Sequence, residues 1–345
     1  MVILIGNFTT SKNHNQYVHS EMSSQYKNHI FLFIIVLLES SHSYFTFCEY
    51  LSMNQYLYSL DKKSISEFQS QDKMEALAAL ESGKVVFLPN YCFTLNQHEH
   101  MFTESILSPN RKNVSYDFQS RKLSGVCKHH SIEQANKVRQ FMHRYAEFSR
   151  QLLESLLPSY QNELRLGRTS YRPAEIQGRK SSKLKDDTRL HVDSFPATPV
   201  NGQRILRVFC NINPEGKPRV WHLGEPFSQV LEQFSSKIPR YNALQARLLK
   251  LCKVTKTFRT PYDHAMLNLH NLMKLDDAYQ TAVKKLRFDF PAQSTWLVYT
   301  DQVSHAALSG QFLLEQTFYL PVSAMKYAEF SPLRQLEKVK SLSLA

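Results

Sequence analysis

The sequence predicts an α+β protein in which a mainly helical segment precedes two groups of strands separated by a helical insertion. Three observations carry that reading. Apolar residues at Ala135, Val138, Phe141, Tyr145, Phe148, Leu152 and Leu156 recur at spacings of three and four, one face of a long helix. "RILRVFCNINP" from Arg204 and "STWLVYT" from Ser294 are rich in β-branched and aromatic residues, as strands are. Between them, from Pro226 to Ala282, "FSQVLEQF", "NALQARLLKLC" and "AMLNLHNLMKLDDAYQTAV" return to a helical period.

The first notable segment is the uninterrupted apolar run from Ile30 to Leu38. It is too short to cross about 30 Å of hydrocarbon as a helix. It has the length of a signal-peptide core, yet it lacks a short basic flank and a small-residue cleavage site. Residues 1–52 therefore read as an N-terminal extension with Met53 the more natural beginning; a membrane-associating segment or a cleaved signal are the alternatives. "DKMEALAALES", Asp72 to Ser82, is made of helix formers and stops at Gly83, and "KVVFLP" after it suits a short strand. The long helix spans Glu133 to Leu157 and ends at Pro158, its apolar stripe facing a core. Residues 53–160 form the mainly helical N-terminal segment.

From Arg165 to Arg189 eight Lys and Arg residues surround Tyr171 with little apolar period, which suggests a solvated loop that could face an anion. The strand from Arg204 ends at the turn "NPEGKP", and "RVWHLG" supplies another. After the insertion, 226–282, "STWLVYT", "SHAAL" and "FLLEQTFYLPV" complete a strand-built core over 161–325. Residues 326–345 are a C-terminal tail.

Composition narrows the functional classes. With nine glycines and neither GxGxxG nor GxxxxGK, a phosphate-loop architecture is excluded. The charge of +12 favours an anionic partner: a phospholipid surface, an acidic glycan or nucleic acid. No RNA-binding or helix-turn-helix pattern supports nucleic acid. The odd number of cysteines, Cys48, Cys92, Cys127, Cys210 and Cys252, fits a reducing, cytoplasmic setting better than a disulfide framework. "QHEH" (His98, His100) and "CKHH" (Cys127, His129, His130) match no closed zinc spacing.

One motif carries chemistry. In "DDTRLHVDSFPATP", His191 and Asp193 are two apart, so on a strand both point to one face, the arrangement two adjacent metal ligands need. Alone it is weak: 14 histidines and an aspartate frequency of 11 in 345 make about half a chance occurrence. A distal histidine would complete the two-histidine, one-carboxylate triad of non-haem Fe(II) oxygenases. The candidates are His222, His264, His270 and His305. His264 and His270 lie in the helical insertion and His222 soon after the motif. His305 follows a strand and turn, where a jelly-roll barrel returns its final ligand, and is favoured. The 2-oxoglutarate co-substrate of such enzymes needs a cation for its distal carboxylate. Arg204 and Arg207 are three apart on one strand, so at most one faces inward, and Arg207, alternating with Ile205 and Phe209, is preferred.

The strings "LRLGRTSYRP", "KDDTRLHVDSFP", "RILRVFCNINP" and "VYTDQVSHAALSGQFLLEQTFYLPV" resemble bacterial 3-deoxy-D-manno-oct-2-ulosonic acid (Kdo) 3-hydroxylases, over roughly Leu60 to Val322. The resemblance implies a double-stranded β-helix (jelly-roll, cupin-like) core and an Fe(II)-, 2-oxoglutarate- and O₂-dependent dioxygenase. Its implied substrate is Kdo, hydroxylated at carbon 3 in the inner core of lipopolysaccharide. It also implies His191, Asp193 and His305 as iron ligands and, less directly, Arg207 for 2-oxoglutarate. A Kdo-bearing lipid A precursor would then be the partner, at the anionic surface of the inner membrane, with the Arg165–Arg189 stretch as one contact. Alternatives are the same chemistry on a protein side chain or another sugar acid, or a cupin-like binding module without turnover. The insertion is expected to act as a lid, and Arg189 to lie near the substrate or support Asp193.

Overall fold

A computed structural model describes residues 55–345 apart from Thr103, Asn110 and Lys128; the readings of residues 1–52 fall outside it. After strand β1 (Leu57–Ser59), helix α1 (Ser70–Glu81) opens on a capping box between Gln69 and Asp72 and closes at Gly83, whose φ of +90° an L side chain resists. Strand β2 (Val85–Leu88) follows. Two short strands not foreseen from the sequence, β3 (Val114–Asp117) and β4 (Lys122–Ser124), precede α2 (Ile132–Leu156), which is capped by Ser131 and ends before Pro158. The expected stripe on α2 turns inward, burying Val138, Phe141, Tyr145, Leu152 and Leu156, each contributing about 1.5–3 kcal/mol.

The basic stretch is not a loop throughout. Its first eight residues form strand β5 (Arg165–Arg172), exposed at Arg165 and Arg168 and buried from Thr169 to Tyr171. Its charge and polarity hid a strand. Strands β6 (Arg204–Asn211) and β7 (Arg219–Leu223) lead to the insertion, which forms α3 (Phe227–Phe234), α4 (Ala243–Leu251), α5 (Pro261–Leu275) and α6 (Asp277–Ala282). The unforeseen β8 (Leu286–Phe290) comes next, its "LRFDF" too short and charged to stand out. Then follow β9 (Ser294–Tyr299), β10 (His305–Ser309) and β11 (Leu313–Leu320). The tail carries α7 (Pro332–Lys340), anchored by Leu333 and Leu336.

An eight-stranded sheet runs β1-β2-β9-β6-β11-β5-β3-β4, antiparallel except at β1–β2, and a three-stranded antiparallel sheet runs β10-β7-β8. This is a mixed α+β fold with a large antiparallel sheet. Every residue of the central β6 is buried, so both faces of that strand must be partnered. One face, with Leu206 and Val208, packs on a cluster built from α1, α2, α3, α5 and α7. The opposite face sends Phe209 between the sheets, where it meets Trp221, Phe290 and Trp296. The site lies in that space.

Candidate active site

The segment carrying His191 is extended but not a regular strand. His191 makes a single antiparallel bridge to His305, each amide donating to the other's carbonyl at 3.0 and 2.9 Å. Two residues on, the Asp193 amide donates to the Thr300 carbonyl at 2.7 Å. These bonds fix which side chains meet. His191, Asp193 and His305, all buried, bring one potential ligand atom each within 4.8 Å of one another.

Both rings are prepared for a cation. The Nδ1 of His191 lies 2.8 Å from the Arg189 carbonyl, and that of His305 lies 2.8 Å from the Val303 carbonyl. A carbonyl only accepts, so Nδ1 carries the proton and Nε2 offers its lone pair. Burial drives His191 well below the ordinary histidine range, with His305 adding to it, and burial likewise lowers His305. Both stay neutral as ligands must. Burial would raise Asp193, but Arg207 and then the two histidines prevail and keep it ionised, below the usual carboxylate range. Its Oδ2 makes no hydrogen bond although Arg207 lies 3.0 Å away as an ion pair, and His191 Nε2 stands 3.6 Å from Oδ1. Two neutral imidazoles, one carboxylate and an unsatisfied buried oxygen fit a divalent metal.

The other candidates lie elsewhere or play other parts. His264 is half-buried, bonding the Pro239 carbonyl, and the equally half-buried His222 on β7 pairs opposite Ala306. His270 comes close without joining: its Nδ1 donates to the Val192 carbonyl at 2.8 Å and its ring meets that of His191 edge-on at 5.1 Å. On the other side the His305 ring stacks on Trp221. Arg189 points away from the site to α5 and α6, donating to the Lys274 carbonyl and pairing with Asp277 at 2.6 Å. With Gln280, which bonds both backbone groups of Leu190, it fastens the insertion to the back of the metal segment.

The two arginines of β6 separate as strand parity requires. Arg207 enters the space between the sheets, held by Asp193 at 3.0 Å and Glu315 at 2.9 Å. Arg204 is outside the site altogether: it faces the helices, wholly buried against Asp301 at 2.8 Å and Gln302 at 2.7 Å, over the Tyr299 ring. Two further arginines that the sequence did not single out line the same cavity of 130 Å³ with the metal-site residues, Phe209 and Trp221. Arg172 pairs with Glu315 at 2.9 Å. Arg219 is 3% exposed, donates to the Gly310 carbonyl at 2.8 Å, leaves Nε unbonded, and among the described residues forms no ion pair. Burial, then Arg172, pushes it down to about 9. The signal was available: on a strand Arg219 shares the inward face of Trp221.

Arg172, Arg207 and Glu315 also wall a second cavity of 520 Å³ that opens outward past Arg165, Arg168, Lys256 and Tyr319.

A pair of histidines and a carboxylate is the ligand set of mononuclear non-haem iron oxygenases, and here space and one arginine without an ion pair lie beside it. The chain belongs to the 3-deoxy-D-manno-oct-2-ulosonic acid (Kdo) hydroxylase family, whose sequence model matches residues 63–342. It is similar to solved structures of the Kdo hydroxylase KdoO, described as a non-heme Fe(II) alphaketoglutarate-dependent dioxygenase. With the complex of alphaketoglutarate and Fe(III) it shares 44% identity at a TM-score of 0.81, covering 84% of this chain and 97% of that one. The cobalt(II) complex gives 46% and 0.81, and the succinate and Fe(III) complex 45% and 0.80, with the same coverage. No curated protein sequence matches.

Proposed function

We propose that this protein is an Fe(II)- and 2-oxoglutarate-dependent dioxygenase that hydroxylates Kdo at carbon 3 on a lipid A precursor of lipopolysaccharide. One observation carries the reading: in a chain of this family, His191, Asp193 and His305 converge at the wall of a pocket that three arginines also line. The fold is in turn read as a double-stranded β-helix. Supporting this, β9-β6-β11-β5 face a second layer in which His191 bridges β10 ahead of β7 and β8.

His191, Asp193 and His305 would hold the iron. When bound, iron and 2-oxoglutarate would supply oxidising chemistry with O₂, one oxygen atom turning a C–H bond into C–OH and the other entering succinate as 2-oxoglutarate loses CO₂. The protein's residues do the rest. Arg207, braced by Glu315, fixes the Asp193 carboxylate. Arg207 was the first choice for the co-substrate carboxylate, but two carboxylates already engage it. Arg219, a buried cation lacking an ion pair, is the better anchor. Phe209, Trp221 and Leu313 supply the apolar part of a wall that is otherwise charged.

The inner cavity suits a small diacid and not an eight-carbon sugar, whereas 520 Å³ lies within the about 300–1,000 Å³ of small-molecule sites. The sugar would therefore occupy the outer groove, its acid group meeting Arg168 and Lys256, with one carbon reaching the mouth.

Among the described residues no helix is long and apolar enough to cross a membrane. The charge of +12 supports peripheral association with the anionic cytoplasmic face of the inner membrane, where the precursor resides. Purified protein with Fe(II), 2-oxoglutarate and Kdo-bearing lipid A should release succinate and add one oxygen atom to Kdo by mass spectrometry, both lost in Asp193→Ala. Succinate without oxygenated Kdo would reject the substrate; no Fe(II)-dependent succinate would reject the enzyme.

A further inference from the structure

Helix α4 is poorly partnered by the rest of the protein. Of its nine residues Ala246 is buried, while Leu244 is 76%, Leu248 57% and Leu251 78% exposed, and Val254 just beyond is 55% exposed. The three leucines are spaced four and three apart, so they form one apolar stripe along the helix. Four large apolar side chains do not stand in water on one short segment of a soluble domain without a partner to cover them.

Charge says which partner. Arg240, Arg247, Lys250, Lys253 and Lys256 flank the stripe, and between Glu232 and Asp263 the sequence holds no acidic residue. An apolar ridge bordered by cations alone is complementary to an anionic lipid surface: leucines enter the boundary between headgroups and acyl chains while Lys and Arg meet phosphates. Protein surfaces, in contrast, mix both signs.

The placement fits as well. α4 ends five residues before Lys256, whose amide donates to the Ala197 carbonyl at 2.9 Å and so fastens the segment to the loop after Asp193. Lys256 and Ala197 both line the outer groove. A bilayer met by α4 would lie beside the groove's entrance.

We propose that α4 is a membrane-docking helix that seats this protein on an anionic phospholipid bilayer and brings the outer groove to a sugar carried on a lipid. This rests on the proposed function for the identity of the sugar lipid, but not for the docking itself.

The test uses the full chain and vesicles of phosphatidylethanolamine with phosphatidylglycerol, against vesicles of phosphatidylcholine alone. Binding should require the anionic lipid and weaken with salt. It should fall at least about tenfold in Leu244→Ser/Leu248→Ser/Leu251→Ser and in Lys250→Glu/Lys253→Glu, all on exposed positions. Both variants should turn over detergent-dispersed Kdo-bearing lipid A like the parent and lose rate on the same lipid in vesicles. Equal vesicle binding by parent and triple-serine variant overturns the proposal. So does a dimer of the parent that the triple variant abolishes, which would make the stripe an interface between copies. Vesicle binding lost as expected, with no hydroxylation by the parent in detergent, would leave docking standing and remove the proposed reaction.

Discussion

Two buried arginines on strands of different sheets, Arg204 on β6 and Arg219 on β7, face opposite conditions. Arg204, fully buried, is met by a carboxylate, an amide oxygen and an aromatic ring. Burial would lower its pKa, but Asp301 and then Tyr299 reverse that and raise it. Arg219 is almost as buried, yet among the described residues its hydrogen-bond partner is a backbone carbonyl, and burial holds it down to about 9. A buried charge without a counter-charge costs stability, and folds keep such groups where a ligand supplies what is missing. One arginine completes the fold; the other waits for an anion.

The largest expected effect breaks the first half of that contrast. Arg204→Met would strand Asp301 in the core and should destabilise the protein by about 3–5 kcal/mol, seen as a lower urea midpoint, without altering the metal site. Arg219→Met sharpens the second half. It removes a buried charge that has no direct ion pair, only the longer-range attraction of Asp187, Glu175 and Glu315, so the metal-free protein should lose far less stability than Arg204→Met does. Its KM for 2-oxoglutarate should nevertheless rise by roughly 10- to 100-fold, the about 1.5–3 kcal/mol of a charge-assisted contact. An unchanged KM with a large loss of stability would make Arg219 a structural residue like Arg204.

The same contrast explains what the sequence disclosed. α2 was legible from its period, α1 from its helix formers, β6 from its strand chemistry and the insertion as three helical stretches, whereas the break between α5 and α6 at Asp276 was not. The His191–Asp193 pair was legible as a spacing and His305 as a position after a strand and turn. Their meeting depends on the backbone bridge between residues 114 positions apart, which no local pattern encodes. β5 and β8 were missed because polar and charged residues take up most of β5 and break the short run of β8, where apolar residues usually mark a strand. Arg172 and Arg219 were missed with them: in sequence, a cation bound for a pocket looks like one bound for solvent. Arg204 misled for the converse reason, since its partner Asp301 lies nearly a hundred residues away.

The smallest effect is a slope in pH. Burial is the main cause lowering His191, His270 and His305, so in the folded, metal-free protein all three stay neutral where an unfolded chain would protonate them. Below about pH 6.5 the unfolded state therefore binds more protons, and stability falls with acid by up to about 1.4 kcal/mol per pH unit for each histidine. Asp193, held below the ordinary carboxylate range chiefly by Arg207 against the effect of burial, acts in the same direction at lower pH. Its contribution is complete above about pH 4 and is lost as the pH falls through its folded value. Urea unfolding between about pH 7.5 and 5 should show this slope, and His270→Gln should reduce it by one proton's worth while leaving the three ligands in place. Arg204→Met should lower the curve and also flatten it, because Asp301, raised by burial and lowered chiefly by Arg204, would then take up a proton in the folded state. If the slope survives His270→Gln undiminished, that ring titrates as in water and its hydrogen bond to Val192 does not hold in solution.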